Sequence, residues 1–164
     1  TYPLRTKANG NCTMVVARGC GKMRLKIGGL MKICICCSLS FTDEVMEIAK
    51  KLEGMGHEVL LPDGVKRRLI KQEDFDPVVA KFETDTIHEH PAKIKAADAV
   101  LMCNYEKNGI SGYIGANSFC ELYMARYFDK PVFALNPLPE QPYIHDEIMA
   151  FEIMVIDGDL GKIK

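Results

Sequence analysis

Residues 99–125 read AVLMCNYEKNGISGYIGANSFCELYMA, and this stretch decides the predicted fold. The apolar run Ala99–Cys103 predicts a buried strand, and an amphipathic helix follows from about Asn117. Between them lies a loop with three glycines, Gly109, Gly112 and Gly115. Glycines let the backbone approach a ligand closely, and a helix N-terminus favours an anion. Because Glu121 follows on the second turn of the helix beside apolar residues, the stretch predicts a ligand pocket.

Strands and helices alternate on both sides of this stretch. We predict strands over residues 32–37, 57–61, 98–104, 131–135 and 152–156, and helices over 43–55, 78–87, 117–128 and 146–150, with a short helix over 90–97 that has Pro91 at its first position. Such alternation is typical of a doubly wound α/β fold. The predicted fold is a five-stranded parallel sheet in the order 2-1-3-4-5, with ligands bound at the carboxyl ends of strands 1 and 3.

Composition and charge favour one globular domain. The 164 residues carry a net charge of −1, which does not suggest nucleic-acid binding. No apolar run is long enough to cross a membrane. Residues 1–30 carry six basic and no acidic residues, whereas the remainder carries 15 basic and 22 acidic ones. We therefore predict a basic extension over 1–30 and the domain over 31–164.

Two interpretations of residues 1–30 are open. The segment is basic and free of acids, as organellar presequences are. It also lacks clear periodicity, and Met31 opens directly into a strand, which is typical of an upstream extension without a function. We favour the extension without a function.

The seven cysteines indicate reduced thiols rather than a disulfide framework. Their number is odd, and Cys34, Cys36 and Cys103 lie in predicted buried strands. We therefore expect a cytoplasmic protein. A metal site is the weaker interpretation. The spacing Cys34-x-Cys36-Cys37 is not typical of zinc ligands, and the sequence has no second cysteine pair to complete such a site.

Several known catalytic motifs are absent from the sequence, which reduces the number of candidate reactions. The chain has neither a dinucleotide or P-loop fingerprint nor a G-x-S-x-G elbow. What is left is Glu121 behind the glycine loop, with neutral polar residues near it: Ser38, Asn117, Ser118 and Asn136. This set suits a sugar or nucleoside, where a carboxylate can attack the anomeric carbon. The alternative is that Glu121 is a helix charge without a function.

An ordered set of short motifs resembles the nucleoside 2-deoxyribosyltransferase superfamily, which includes the 2'-deoxynucleoside 5'-phosphate N-hydrolases. The motifs span about residues 31–157 and comprise Cys37-Ser38-Leu-Ser-Phe41, Ala97-Asp98-Ala-Val-Leu101, Gly112-Tyr-Ile-Gly115-Ala-Asn117, Glu121-Leu-x-x-Ala125, Lys130-Pro-Val-Phe and Leu135-Asn136-Pro137. The similarity is greatest to an uncharacterised branch with the same Tyr-Ile-Gly and Leu-Asn-Pro pattern.

The resemblance implies a flavodoxin- or Rossmann-like three-layer sandwich, a site without metal or cofactor, a nucleoside or nucleotide as partner, and a homo-oligomer. It implies that Glu121 is the nucleophile that attacks C1' of a deoxynucleoside or its 5'-monophosphate, and that Ser38 and Phe41 contact the nucleoside. The chain departs from the family at His90, where many members have an aspartate that assists the nucleophile, and in a longer glycine loop. We therefore include His90 among the catalytic candidates, and the alternative is that it caps a helix before Pro91.

Other candidates have a functional and a structural interpretation. The Lys66-Arg67-Arg68 run could hold a 5'-phosphate or be a solvated loop. Asp98 could bind in the pocket or simply begin a strand, and Tyr113 could stack on a base or cover the core. The predicted function is cleavage or exchange of the N-glycosidic bond of deoxynucleosides. The alternative is a non-catalytic nucleotide-binding protein on the same fold.

Overall fold

The computed structural model describes residues 29–65 and 86–163. Most of the basic segment 1–30, the Lys66-Arg67-Arg68 run and the helix predicted over 78–87 lie wholly or largely outside these ranges. The predictions for them therefore stay predictions.

Five parallel strands form one sheet in the described part of the chain, in the order β2-β1-β3-β4-β5. The strands are β1 Lys32–Cys37, β2 Glu58–Leu60, β3 Ala99–Cys103, β4 Val132–Ala134 and β5 Met154–Val155. β1 and β3 are almost wholly buried, as expected for apolar strands in the centre of a parallel sheet. The strand order and direction confirm the predicted α/β fold.

Four helices and two short 3-10 turns have both ends within the described ranges, and residues 63–65 are also helical. The four helices are α1 Thr42–Gly54, α2 Thr86–Ala96, α3 Ala116–Tyr127 and α4 His145–Ala150, with 3-10 turns at Leu39–Phe41 and Leu160–Lys162. The bounds of α1, α3 and α4 lie within one residue of the predicted ones. None of the described helices combines the length and the apolar character needed to cross a bilayer.

The start of α2 corrects a prediction. The sequence predicts a helix that begins with Pro91, because a first-turn residue needs no N–H. The observed helix begins at Thr86, so Pro91 is inside it and its missing N–H removes one helical hydrogen bond. His90 is therefore a helical residue rather than a cap, and the N-cap interpretation of His90 is wrong.

The two faces of the sheet bury two separate cores. Successive side chains of a strand point to opposite faces. In β1, Ile33, Ile35 and Cys37 pack in the core that α1 covers. Cys34 and Cys36 pack in the core that α2, α3 and α4 cover. The alternation in β1 therefore sets these two thiols opposite the helices that carry His90 and Glu121.

Candidate functional site

The loops that leave the carboxyl ends of β1 and β3 are joined to each other. Ser38 caps the 3-10 turn Leu39–Phe41, because its Oγ accepts a hydrogen bond from the Ser40 N–H at 3.4 Å. Lys107, in the loop after β3, donates from Nζ to Ser38 Oγ at 3.2 Å and to Ser40 Oγ at 2.9 Å. These contacts set a lysine ammonium among hydroxyl groups at the edge of the sheet where ligands bind in this type of fold.

Two aromatic residues predicted at the site line the same loops. Phe41 is half-buried and packs on Tyr105, with ring centroids 5.2 Å apart. Tyr113 is also half-buried, and its ring centroid lies 5.6 Å from Lys107 Nζ. The amide of Tyr113 donates to the Tyr105 carbonyl at 3.0 Å. Both rings thus pack on partners in these loops.

Gly112 is a glycine that the loop requires. Its φ is +65°, and a Cβ there would lie 2.1 Å from the carbonyl oxygen of Pro137. Gly115 immediately precedes α3 with a φ of −79°, and a Cβ there would make ordinary contact with the Tyr113 ring. The close approach of the glycine loop to the proline-rich loop therefore depends on Gly112.

Asn104 fastens the loop that follows β3 to the loop that follows β4. It is fully buried just after β3, and its Nδ2 lies 3.0 Å from the Asn136 carbonyl, 3.0 Å from the Pro137 carbonyl and 3.4 Å from the Gly112 carbonyl. Its Oδ1 accepts from the Asn136 amide at 2.9 Å. In return, Asn136 Nδ2 donates to the Asn104 carbonyl at 3.0 Å. Asn136, predicted as a ligand contact, therefore uses its amide group to hold the loops.

Glu121 lies on the second turn of α3 with its carboxylate turned towards β1. Its side chain is 17% exposed, and its Oε2 has no hydrogen-bond partner among the described residues. Burial raises the pKa of Glu121 to about 7, against the opposing effect of a charged His90. A buried carboxylate with an unused oxygen is a group that a ligand or an ion can engage.

His90 projects from α2 to meet Glu121 and two thiols. Its Nε2 lies 3.6 Å from Glu121 Oε1, 3.6 Å from Cys36 Sγ and 3.9 Å from Cys34 Sγ. Its Nδ1 has no partner among the described residues. Burial lowers the pKa of His90, but the Cys34 thiol and the Glu121 carboxylate outweigh burial, so the pKa is raised.

Cys34 and Cys36 lie side by side on one face of β1, and both are fully buried. A hydrogen bond with Cys36 lowers the pKa of Cys34 to about 6, against the effect of burial. The same pairing, with burial, holds the pKa of Cys36 well above its usual range. Three titratable side chains, those of Cys34, Cys36 and Glu121, therefore converge on His90 Nε2.

The other predicted residues do not all lie on the side of the sheet where the candidate site is. Asn117 is exposed and Ser118 is buried, and both lie in the first turn of α3. Asp98 precedes β3 at the amino edge of the sheet, where its Oδ2 accepts from the Lys32 amide at 2.9 Å. Since the strands are parallel, Asp98 lies at the edge opposite the loops described above. It holds the start of β1 and is not brought to the candidate site.

The comparisons with known proteins found similarity to solved structures. A solved structure of a 2-deoxyribosyltransferase from the psychrotolerant bacterium Bacillus psychrosaccharolyticus is similar, with a TM-score of 0.46 and 20% sequence identity. The match covers 70% of this chain and 80% of that one. No protein-family model matches the chain, and no curated protein does.

Sequence reasoning did not select four residues of the site, and three of them had a signal. Cys34 and Cys36 alternate along a strand, so they share a face, but nothing in the sequence says that His90 lies opposite them. Asn104 is a polar residue at the end of a buried strand, a position that deserved notice. Lys107 lies in the glycine loop among other polar residues, and its contacts with the serines depend on the fold.

Proposed function

We propose that this protein cleaves or exchanges the N-glycosidic bond of 2'-deoxynucleosides or their 5'-monophosphates, with Glu121 as the nucleophile. The proposal rests on the environment of the Glu121 carboxylate. It is mostly buried, and its Oε2 has no partner among the described residues. A carboxylate held in this way is suited to attack a carbon that becomes positively charged.

The reaction has two displacements at C1'. Glu121 Oε2 forms a bond to C1', the C1'–N bond breaks, and its electron pair leaves with the base, which takes up a proton from solvent. A second base or a water molecule then attacks C1', loses its proton, and releases the carboxylate. Attack by a base gives exchange, and attack by water gives hydrolysis.

His90 serves as a positioning residue in this scheme. Its Nε2 lies 3.6 Å from Oε1, on the side of the carboxylate opposite the unused Oε2. A positive charge on the imidazole lowers the pKa of Glu121. His90 therefore favours the ionised carboxylate that the first displacement needs.

The rim of the site offers contacts for the substrate. Ser38, Ser40 and Lys107 supply two hydroxyl groups and an ammonium, which is a donor set for a 5'-phosphate. Phe41 and Tyr113 supply aromatic surface in the same loops, and the glycine loop over 112–115 with the first turn of α3 forms the adjoining wall. This arrangement supports a nucleotide as well as a nucleoside as substrate.

The test is incubation of the full chain with deoxynucleosides or their monophosphates and a second free base, in a buffer with a chelator, with chromatographic detection of bases and nucleosides. We expect base release or exchange with the wild type and a loss of about 100-fold or more in Glu121→Gln, because no nucleophile is left. Glu106→Gln, which alters an exposed carboxylate of the same loop, is the matched control and should keep full activity.

Turnover that persists in Glu121→Gln would refute the proposed mechanism. Nucleotide binding by calorimetry without any turnover would instead favour the non-catalytic binding protein.

A further inference from the structure

We infer that Cys34, Cys36 and His90 bind a zinc ion, with the carboxylate of Glu121 as the fourth ligand. The two Sγ atoms and a ring nitrogen of His90 all lie within 4.8 Å of one another, and the three residues are buried. Binding of the ion is independent of the proposed function. It rests on the arrangement of the ligand atoms alone.

The separations from His90 Nε2 to the other ligand atoms match those around a tetrahedral zinc ion. Zinc lies about 2.3 Å from thiolate sulfur and about 2.0–2.1 Å from imidazole nitrogen, so a tetrahedron sets these two atoms about 3.6 Å apart. The observed distances from His90 Nε2 are 3.6 Å to Cys36 Sγ and 3.9 Å to Cys34 Sγ. Glu121 Oε1 lies 3.6 Å from the same nitrogen, against about 3.4 Å for a zinc-bound nitrogen and oxygen.

Hydrogen bonding alone does not account for this cluster. His90 Nε2 can carry one proton, yet two sulfur atoms and one oxygen surround it. The distance of 3.6 Å to Glu121 Oε1 exceeds that of an N–H···O hydrogen bond, which is about 2.7–3.2 Å. The contacts of His90 Nε2 with these three atoms are long, and a cation between the four atoms would engage all of them at once.

The donor set and its surroundings suit zinc in particular. Zinc commonly binds four ligands drawn from thiolate sulfur, imidazole nitrogen and carboxylate oxygen. The side chains of His90 and Glu121 are 7% and 17% exposed, so the cluster lies in a mostly buried setting.

The ion would control Glu121, a consequence that rests on the proposed function. A carboxylate that binds zinc is not free to attack C1'. The metal-free protein would therefore be the active form in glycosyl transfer, and the zinc-loaded protein would be inactive.

The test uses cobalt(II) as a spectroscopic probe for zinc, added to the reduced full chain after removal of metals by a chelator. We expect one equivalent of cobalt to give the visible bands of tetrahedral coordination and the near-ultraviolet band of thiolate-to-cobalt charge transfer. Zinc should then abolish both signals at one equivalent. A wild-type protein that gives no thiolate charge-transfer band would overturn the inference.

Variants assign the ligands. Cys34→Ser, Cys36→Ser and His90→Ala should each weaken zinc binding by more than about 100-fold, the upper end of the effect of losing an outer partner of a metal ligand. Circular dichroism checks that each variant is folded. If folded Cys34→Ser and Cys36→Ser both bind zinc as the wild type does, the assignment fails.

The control variants change cysteines outside the cluster. Cys37→Ser alters a buried thiol of the same strand that faces the other core, and Cys120→Ser alters an exposed thiol next to Glu121. Cys12→Ser/Cys20→Ser removes the two cysteines of the basic segment. All three should bind zinc unchanged. Loss of binding in Cys12→Ser/Cys20→Ser alone, with Cys34→Ser unaffected, would place the metal elsewhere and contradict the inference.

Turnover measured on the same samples separates the two proposals. Cobalt and zinc binding without turnover in the metal-free protein would refute the proposed function and leave the zinc site standing. Turnover in the metal-free protein without any thiolate-bound cobalt would do the reverse. Turnover that stops as one equivalent of zinc binds would support both.

Discussion

At the scale of single residues, the chemistry depends on the protonation of Glu121. Its pKa is raised to about 7 by burial, so near neutral pH a large fraction of the carboxyl groups carries a proton. A protonated carboxyl group is a poor nucleophile. The same burial that keeps water from the carboxylate thus also limits the pH range in which it can act.

The pH dependence of turnover follows from this shift. In chelator-treated protein, the rate of base release should rise with pH and level off above about pH 7, because the ionised form of Glu121 is the reactive one. Initial rates across a pH series give the inflection. In His90→Gln the inflection should move to higher pH, since a charged His90 lowers the pKa of Glu121. A rate that falls as pH rises from 5 to 8 would contradict this assignment.

The stability of the metal-free protein should also depend on the ionisation of Glu121, and the raised pKa sets the direction of this pH dependence. The folded pKa of about 7 lies above the ordinary value of 4.5, so the folded state binds the proton more tightly. The resulting stability is fully present below about pH 4.5 and is lost as pH rises to about 7. At pH 8, Glu121→Gln should therefore be more stable than the wild type by up to about 3 kcal/mol, with little difference at pH 4. Urea unfolding at both pH values measures the change, and Glu106→Gln serves as the exposed control.

Lys107 provides a test of the 5'-phosphate contact. Its ammonium bonds Ser38 and Ser40 and makes no ion pair within the described residues, so it can receive a phosphate. Lys107→Met should raise KM for a deoxynucleoside monophosphate about tenfold or more, in line with the loss of a charge-assisted hydrogen bond, and leave KM for the nucleoside unchanged. Steady-state kinetics with both substrates measure the change, and Lys107→Arg should retain most of the affinity. Equal effects on both substrates would argue against a phosphate contact.

At the scale of elements, the glycine loop and its neighbours form a rigid frame in front of α3. Asn104 bonds the loops that follow β3 and β4, and Gln141 bonds both backbone groups of Ile114, at 2.8 and 3.2 Å. The predicted binding residues Tyr113 and Asn136 therefore lie on loops held by side-chain to backbone hydrogen bonds.

Two glycine substitutions separate backbone strain from steric exclusion. Gly109 and Gly112 both have a positive φ, of +76° and +65°, but a Cβ at Gly109 would meet nothing within 4 Å. Gly109→Ala should therefore cost about 1–2 kcal/mol from backbone conformation alone. Gly112→Ala should cost clearly more, since its Cβ would overlap the Pro137 carbonyl. Chemical unfolding of the two variants gives the comparison, and equal losses would contradict the described contact.

Asn104 should be the polar residue on which the loop frame depends most. Asn104→Ala leaves buried carbonyl groups without donors, so we expect a loss of about 2–4 kcal/mol in the free energy of unfolding. Asn117→Ala, at an exposed position of α3, should change stability by less than about 0.5 kcal/mol. Thermal and urea unfolding measure both. A loss at Asn104 no larger than at Asn117 would show that the contacts contribute little.

At the scale of the whole molecule, the sheet could be predicted from the sequence and the cluster around His90 could not. Few topologies are compatible with the apolar runs in β1 and β3 and with the alternation of helices and strands. These local patterns therefore allowed the strand order to be predicted. The start of α2 was predicted too late in the sequence. Proline is far commoner in the first turn of a helix than in its interior, where Pro91 lies. His90 meets Cys36 across 54 residues of sequence, a contact that depends on how α2 crosses β1.

The same contrast holds for the candidate site. Glu121 was predicted because it follows a glycine loop and a buried strand, all within one stretch of the chain. Asp98 was misplaced because a residue beside a strand can lie at either edge, and the pairing of Ala99 with Ile33 shows that it lies at the amino edge. Asn136 was predicted near the site, but its bonds to Asn104 became visible only once β3 and β4 were paired.

The measurement that tests the role of Glu121 most directly is mass spectrometry of the intact metal-free protein, quenched during turnover of a deoxynucleoside. The account predicts a covalent adduct of one deoxyribosyl group, located on Glu121 by peptide mapping and absent from Glu121→Gln. Base release by the wild type with no adduct on Glu121, or with an adduct that persists in Glu121→Gln, would contradict it.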